Sequence, residues 1–115
     1  MVGADDTANG ERRTMSQLTK GAAWQALVRH REAMAGVTMR ALFAEDPQRF
    51  ERFSHEACGL LLDYSKNRLT DETLRLLLDL ARERDLAGWR ARLFGGAPIN
   101  ATEGRAVFHM ALRHR

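Results

Sequence analysis

The sequence predicts a mainly α-helical segment with one short strand, and three observations carry that reading. Leu74, Leu77, Leu78 and Ala81 repeat at i, i+3, i+4 and i+7, the spacing of one helix face. Trp24, Leu27, Val28 and Met34 share one side of a second such repeat. The apolar stretch Leu60-Leu61-Leu62-Asp63-Tyr64 is short and ends in the polar residues Ser65-Lys66-Asn67, as a buried strand would.

In chain order, residues 1–15 are polar, mixed in charge and aperiodic, and are expected to form a flexible leader. The segment 16–115 then holds the structured part. A first helix is expected from Ser16 to Ala35, ended by Gly36. Met39, Leu42 and Phe43 make a short apolar turn or helix. Asp46-Pro47 restarts the chain, aspartate as an N-cap and proline at the first helical position, and Phe50 and Phe53 should both point into the core from that helix. For Leu60 to Tyr64 the length favours a strand, although leucine content leaves a helix open. Thr70 suits an N-cap, and Asp71 and Glu72 put negative charge where the helix dipole favours it. Leu86, Trp89 and Leu93 continue in a further helix closed by Gly95-Gly96, with Pro98 beyond. Asn100 or Thr102 is expected to cap a last helix carrying Val107, Ala111 and Leu112.

Composition excludes several function classes. The chain has 115 residues, one domain's worth at most, and a formal net charge of +3. Its isoelectric point is about 9.7 because the basic residues other than Lys20 and Lys66 are arginines. Acidic and basic residues alternate, as in Arg29, Arg31 and Glu32, in Arg49, Glu51 and Arg52, and in Arg82, Glu83, Arg84 and Asp85. Nucleic acid would call for a one-sign stripe with stacking aromatics, so these read as solvated helix faces and no nucleic-acid partner is expected. No apolar run is long enough for a membrane span and no signal-peptide core opens the chain, which points to a cytoplasmic protein. Cys58 is the single cysteine; its apolar neighbours suggest a small buried thiol.

No catalytic constellation assembles from the residues. His55 and Cys58 could share a helix face as two metal ligands, but a zinc site needs a second pair, and no metal site or cofactor is expected. His30 and His114 join no ligand pattern, and His109 reads as a structural histidine within the last helix. Ser65 and Lys66 are adjacent and would point to opposite sides of an extended segment; with Asp63 and Tyr64 they read as a hydrogen-bonded turn rather than an activated nucleophile. Glu103 and Asp63 form a carboxylate pair only if the fold joins them. Gly95-Gly96 lacks the strand and lysine of a phosphate loop. Arg105 and Arg113 could hold phosphate, or pair with Asp63 or Glu103.

Four blocks nonetheless resemble the phosphoglucose isomerase family, in order along residues 18–115. They are Trp24-Gln25-Ala26-Leu27 with His30 and Met34; Leu42-Phe43-Ala44, Asp46-Pro47, Arg49-Phe50 and Phe53-Ser54; Leu61-Leu62-Asp63-Tyr64-Ser65-Lys66-Asn67-Arg68 with Thr70 and Glu72-Thr73-Leu74; and Phe94, Gly96, Ile99-Asn100, Thr102-Glu103-Gly104-Arg105-Ala106-Val107, His109 and Ala111-Leu112-Arg113. The last two in tandem are the specific ones. Phe108 and His114 depart from the family pattern, where leucine and asparagine are usual.

The resemblance implies a larger two-domain α/β sugar-isomerase fold that interconverts glucose 6-phosphate and fructose 6-phosphate in glycolysis and gluconeogenesis. It also implies a homodimer without metal or nucleotide. The family's catalytic glutamate, its histidine and lysine helpers and its phosphate loops come later in the chain, so no catalytic residue is expected here and the segment alone should be inactive. A free-standing helical protein-interaction module, using the same leucine and phenylalanine faces, is the alternative.

Overall fold

The computed structural model describes residues 17–113; the expected leader 1–15, Ser16 and His114 lie outside them. Helix dominates, with one two-stranded antiparallel sheet. The elements are α1 (Ala22–Ala33), α2 (Met39–Glu45), α3 (Arg49–Arg52), β1 (Ser54–Ala57), β2 (Leu60–Asp63), α4 (Asp71–Glu83), α5 (Leu86–Phe94) and a 3-10 turn (Ala111–Arg113). The chain separates into two compact units, residues 26–76 and residues 77–113 with the stretch before 26.

In the unit of residues 26–76, Thr38 caps α2 by accepting the Ala41 N–H at 3.2 Å. Asp46 closes α2, and its Oδ1 accepts the Gln48 N–H, turning the chain through Pro47 into α3. Proline therefore stands in the turn ahead of the helix rather than at its first position. The short α3 puts Arg49 and Phe53 inside, whereas Phe50 stays 45% exposed against expectation. A helix of one turn has one inward line, and Arg49 with the residue four later occupies it.

The expected single buried strand is an antiparallel hairpin. Ser54 pairs with Asp63, His55 with Leu62, Glu56 with Leu61 and Ala57 with Leu60. Cys58 and Gly59 form the two-residue turn with φ of 53° and 74°, the positive values that match hairpin twist. This places Cys58 at an exposed tip and overturns its expected burial. Leu60, Leu61 and Leu62 are also exposed, not buried. β1 escaped the periodicity reading because Ser54, His55 and Glu56 are polar.

Thr70 and Thr73 cap α4 reciprocally: the Thr73 N–H reaches Thr70 Oγ1 at 3.3 Å, and the Thr70 N–H reaches Thr73 Oγ1 at 2.9 Å. Glu72 pairs with Arg75, which holds the glutamate carboxyl below its ordinary range. Leu76 is the buried leucine of α4, while Leu77 and Leu78 remain partly exposed. Leucines at 74, 76, 77, 78 and 80 surround much of the helix, so one packing layer cannot cover them all.

In the other unit, a helical turn over residues 17–20 breaks at Gly21 before α1, splitting the single helix expected from Ser16. Glu83 accepts the Ala23 N–H at 2.8 Å, supplying a carboxylate to one of the orphan donors at the start of α1. Asp85, left-handed at φ 51°, starts α5 by accepting the Gly88 N–H. Gly95 and Gly96 end α5 as expected, the Gly95 N–H reaching the Ala91 carbonyl at 2.9 Å.

The expected last helix is absent from 100–110. Asn100 instead bridges to Arg105, its N–H reaching the Arg105 carbonyl at 3.0 Å. The Glu103 N–H donates to Asn100 Oδ1 at 3.2 Å, the bond an N-cap would accept. Gly104 then turns left-handed at φ 63° and stops the helix before it begins. Helical geometry appears only over Ala111–Arg113, as a 3-10 turn.

Candidate functional site

The most deeply buried side chains among the described residues are Arg49 and Ser65, at 2% and 1% exposure. Both belong to one polar anchor. Arg49 Nε donates to the Ser65 carbonyl at 2.7 Å, and its Nη2 donates to the Asn67 and Leu69 carbonyls at 2.9 and 2.8 Å. The guanidinium lies 4.6 Å from the Phe53 ring centre and 5.7 Å from that of Phe43. The charged group is thus held by carbonyl dipoles and aromatic faces. Planarity matters, because one rigid fork meets three carbonyls of a single loop.

Ser65 closes the same loop from the other side. Its hydroxyl donates to Asp63 Oδ1 at 2.6 Å and its N–H to the same oxygen at 2.9 Å. These two bonds, the hydroxyl first, hold the Asp63 carboxyl below its ordinary range, with Lys66 adding to the effect. A serine whose proton is committed to a carboxylate, with no histidine or lysine bonded to it, is not an activated nucleophile. The expected hydrogen-bonded turn at Ser65-Lys66 is what the structure contains.

A cavity of about 480 Å³ lies nearby, lined by Leu27, His30, Arg31, Met34, Ala35, Arg68 and Thr73. Three of its polar groups, His30, Arg68 and Thr73, are engaged with protein. His30 Nε2 meets Thr73 Oγ1 at 2.6 Å, and Arg68 Nη2 donates to the Met34 and Ala35 carbonyls just beyond the C-terminal end of α1. The lining offers no carboxylate as a base and no cysteine or serine as a nucleophile. Sequence reasoning passed over both the anchor and this cavity. Arg49 looked like one charge in a mixed-sign surface run, and the His30–Thr73 contact joins residues far apart in the chain.

The other candidates do not converge on a site. His55 lies on β1 and Cys58 in the turn, both exposed, so no helix face joins them. Among the described residues no group of three or more His, Cys, Asp or Glu side chains could hold a metal ion. His109 is exposed in a turn rather than within a helix. Glu103 bonds Asn100 Nδ2 at 3.2 Å and pairs with Arg105, so Arg105 is engaged with the glutamate of its own turn.

Residues 63–115 match the family model described as phosphoglucose isomerase. That span opens on Asp63, Ser65 and the carbonyls that Arg49 holds. In sequence the chain is similar to the N-terminal part of glucose-6-phosphate isomerases. It is 62% identical over 96 residues to the glucose-6-phosphate isomerase of Gloeobacter violaceus, which covers 84% of this chain and 18% of that protein. Against the enzyme of the same name from Ectopseudomonas mendocina it is 55% identical over 96 residues, 84% of this chain and 17% of that one. The Nitrosospira multiformis enzyme is 54% identical over 99 residues, 86% and 18%. The chain therefore spans less than a fifth of the length of these relatives. The Arg49 anchor and the Asp63–Ser65 turn are structural, since the polar atoms named in them are bonded to the protein itself.

Proposed function

We propose that this chain supplies the N-terminal scaffold of an aldose–ketose isomerase that interconverts glucose 6-phosphate and fructose 6-phosphate. The similarity to glucose-6-phosphate isomerases across 84% of the chain carries the reading. The complete protein is proposed to adopt a two-domain α/β fold and to work in the cytoplasm as a homodimer on a sugar phosphate. The segment contributes no catalytic residue. Proton transfer between adjacent sugar carbons needs a base within hydrogen-bond reach of the moving proton. The carboxylates Asp63, Glu72 and Glu103 are each bonded to neighbouring protein groups instead.

A chimaera tests this. Residues 18–113 replace the matching segment of the Gloeobacter violaceus enzyme, and isomerisation of fructose 6-phosphate is followed. Activity within about tenfold of the parent is expected, a barrier change of roughly 1.4 kcal/mol or less. A folded chimaera without isomerase activity would sink the proposal. The 115-residue chain assayed alone should show none.

A further inference from the structure

We infer that the cavity beside α1, in the unit of residues 26–76, is a binding site for a small aliphatic monocarboxylate. One of its walls is a helical stripe of mixed make-up. Leu27, His30, Arg31 and Met34 stand at i, i+3, i+4 and i+7, the spacing that an apolar, core-facing stripe takes. Here the two ends of the stripe are apolar and the two middle positions are a histidine and an arginine. Arg68 and Thr73 complete the polar lining, the threonine from the first turn of α4.

Charge decides the class of ligand. No carboxylate lines the cavity, and two guanidinium groups do. Arg68 is committed: it donates to the Met34 and Ala35 carbonyls at 2.6 and 3.0 Å, which sets its charge against the negative end of the α1 dipole. His30 and Thr73 are committed to each other at 2.6 Å. Arg31 has no hydrogen-bond or ion-pair partner among the described residues. Glu32 does not neutralise it, because adjacent residues on a helix do not face each other. Glu72, next to Thr73, is taken by Arg75. One uncompensated guanidinium calls for one negative charge, and its planar fork matches the two oxygens of a carboxylate. A phosphate dianion would need a second cation, and the second cation is held on the helix end.

The apolar walls decide the body of the ligand. Leu27 and Met34 flank the arginine along the stripe, one turn before and one turn after it. The volume of about 480 Å³ lies within the range of roughly 300–1,000 Å³ that small-molecule sites occupy. A short alkyl chain then lies along Leu27 or Met34 while its carboxylate meets Arg31, and the unbranched methionine adapts to the length of the chain. With no base or nucleophile in the lining, the site binds its ligand and does not transform it.

Hexanoate is the probe, titrated into the isotope-labelled 115-residue chain and followed by NMR. The Leu27 and Met34 methyl signals and the Arg31 Nε–H signal should shift together and saturate. A Kd on the order of 1 mM is expected for so small a ligand. Hexanol, which has the chain without the charge, and inorganic phosphate, which has charge without the chain, should each bind at least about tenfold more weakly. Arg31→Gln should weaken hexanoate by about tenfold or more and leave both hexanol binding and thermal unfolding unchanged, since Arg31 is exposed and bonds nothing in the protein. Hexanol that binds as tightly as hexanoate would overturn the inference and leave an apolar depression. Phosphate that binds as tightly would overturn it in favour of a general anion site. Full hexanoate affinity in Arg31→Gln, or shifts that never saturate, would overturn it outright. None of these readouts involves sugar isomerisation, so their failure leaves the proposed function standing.

Discussion

Arg49 carries a permanent charge and is 2% exposed, while Leu60, in the same unit, carries none and is 74% exposed. The inversion has a physical cause. Arg49 is buried because three carbonyls of one loop and two aromatic rings replace the water it loses. Leu60 is exposed because a two-stranded ribbon has no second layer of its own. Among the described residues Arg49 and Ser65 are buried alongside Leu42, Phe53, Leu69 and Leu76, because each of the two has its hydrogen bonds met, while Leu60, Leu61 and Leu62 stay outside that core.

The largest expected effect comes from breaking the polar side of that comparison. Arg49→Ala leaves the Ser65, Asn67 and Leu69 carbonyls without their donor and removes the cation between Phe43 and Phe53. The expected cost is about 3 kcal/mol in urea unfolding of the chain. Arg49→Lys should recover less than half of it, since an ammonium cannot span three carbonyls in the plane of a fork. Wild-type stability in Arg49→Ala would show that the loop needs no anchor.

How far this was legible in the sequence follows from the same contrast. Thr70 with Asp71 and Glu72 announced α4, and Gly95-Gly96 announced the end of α5, because caps are local chemistry written in adjacent residues. The Arg49 anchor was invisible, because its partners are backbone carbonyls up to 20 residues away and carbonyls have no letter in a sequence. The last helix was expected from a capping signal at Asn100 or Thr102, and Asn100 does accept the Glu103 N–H. The signal was spent on a turn once Gly104 went left-handed. β1 was missed because an exposed strand needs no apolar alternation. Leu60 to Leu62 were recognised as a strand but given the wrong surroundings. A single chain's sequence records that a leucine is meant to be buried, and says nothing of which polypeptide buries it.

A smaller effect is expected at Ser65, which sharpens the anchor from its other end. Ser65→Ala keeps the N–H bond to Asp63 and removes the hydroxyl bond, for a loss of about 1 kcal/mol. The Asp63 carboxyl should also rise toward its ordinary range, visible in a carbon-detected NMR titration. An Asp63 titration identical in the variant and the parent would remove the hydroxyl from the account.

Acid should act on the same pair. The folded-state pKa of Asp63 is depressed below its unfolded value, so its contribution is fully present above the ordinary aspartate range, near pH 4. It is lost as pH falls through that range toward the folded value. The stability difference between the parent and Asp63→Asn should therefore narrow on acidification below about pH 4 and stay constant between pH 5 and 7. Glu72, depressed by Arg75, titrates in an overlapping window, and Glu72→Gln separates the two. A difference that narrows only above pH 6 would assign the effect to another group.

The smallest expected effect is at Leu62, and its smallness is the informative part. In the 115-residue chain Leu62→Thr exchanges a solvated leucine for a β-branched residue that suits a strand, so the change should lie within about 0.5 kcal/mol of zero. Urea unfolding of the variant beside Ser65→Ala measures both on one scale. A larger loss at Ser65 than at Leu62 would show that the buried hydroxyl bond stabilises the chain more than the exposed leucine does. A loss at Leu62 of 2 kcal/mol or more, the size of a buried leucine, would instead mean that the hairpin face is already covered within this chain, and would erase the contrast between the two regions.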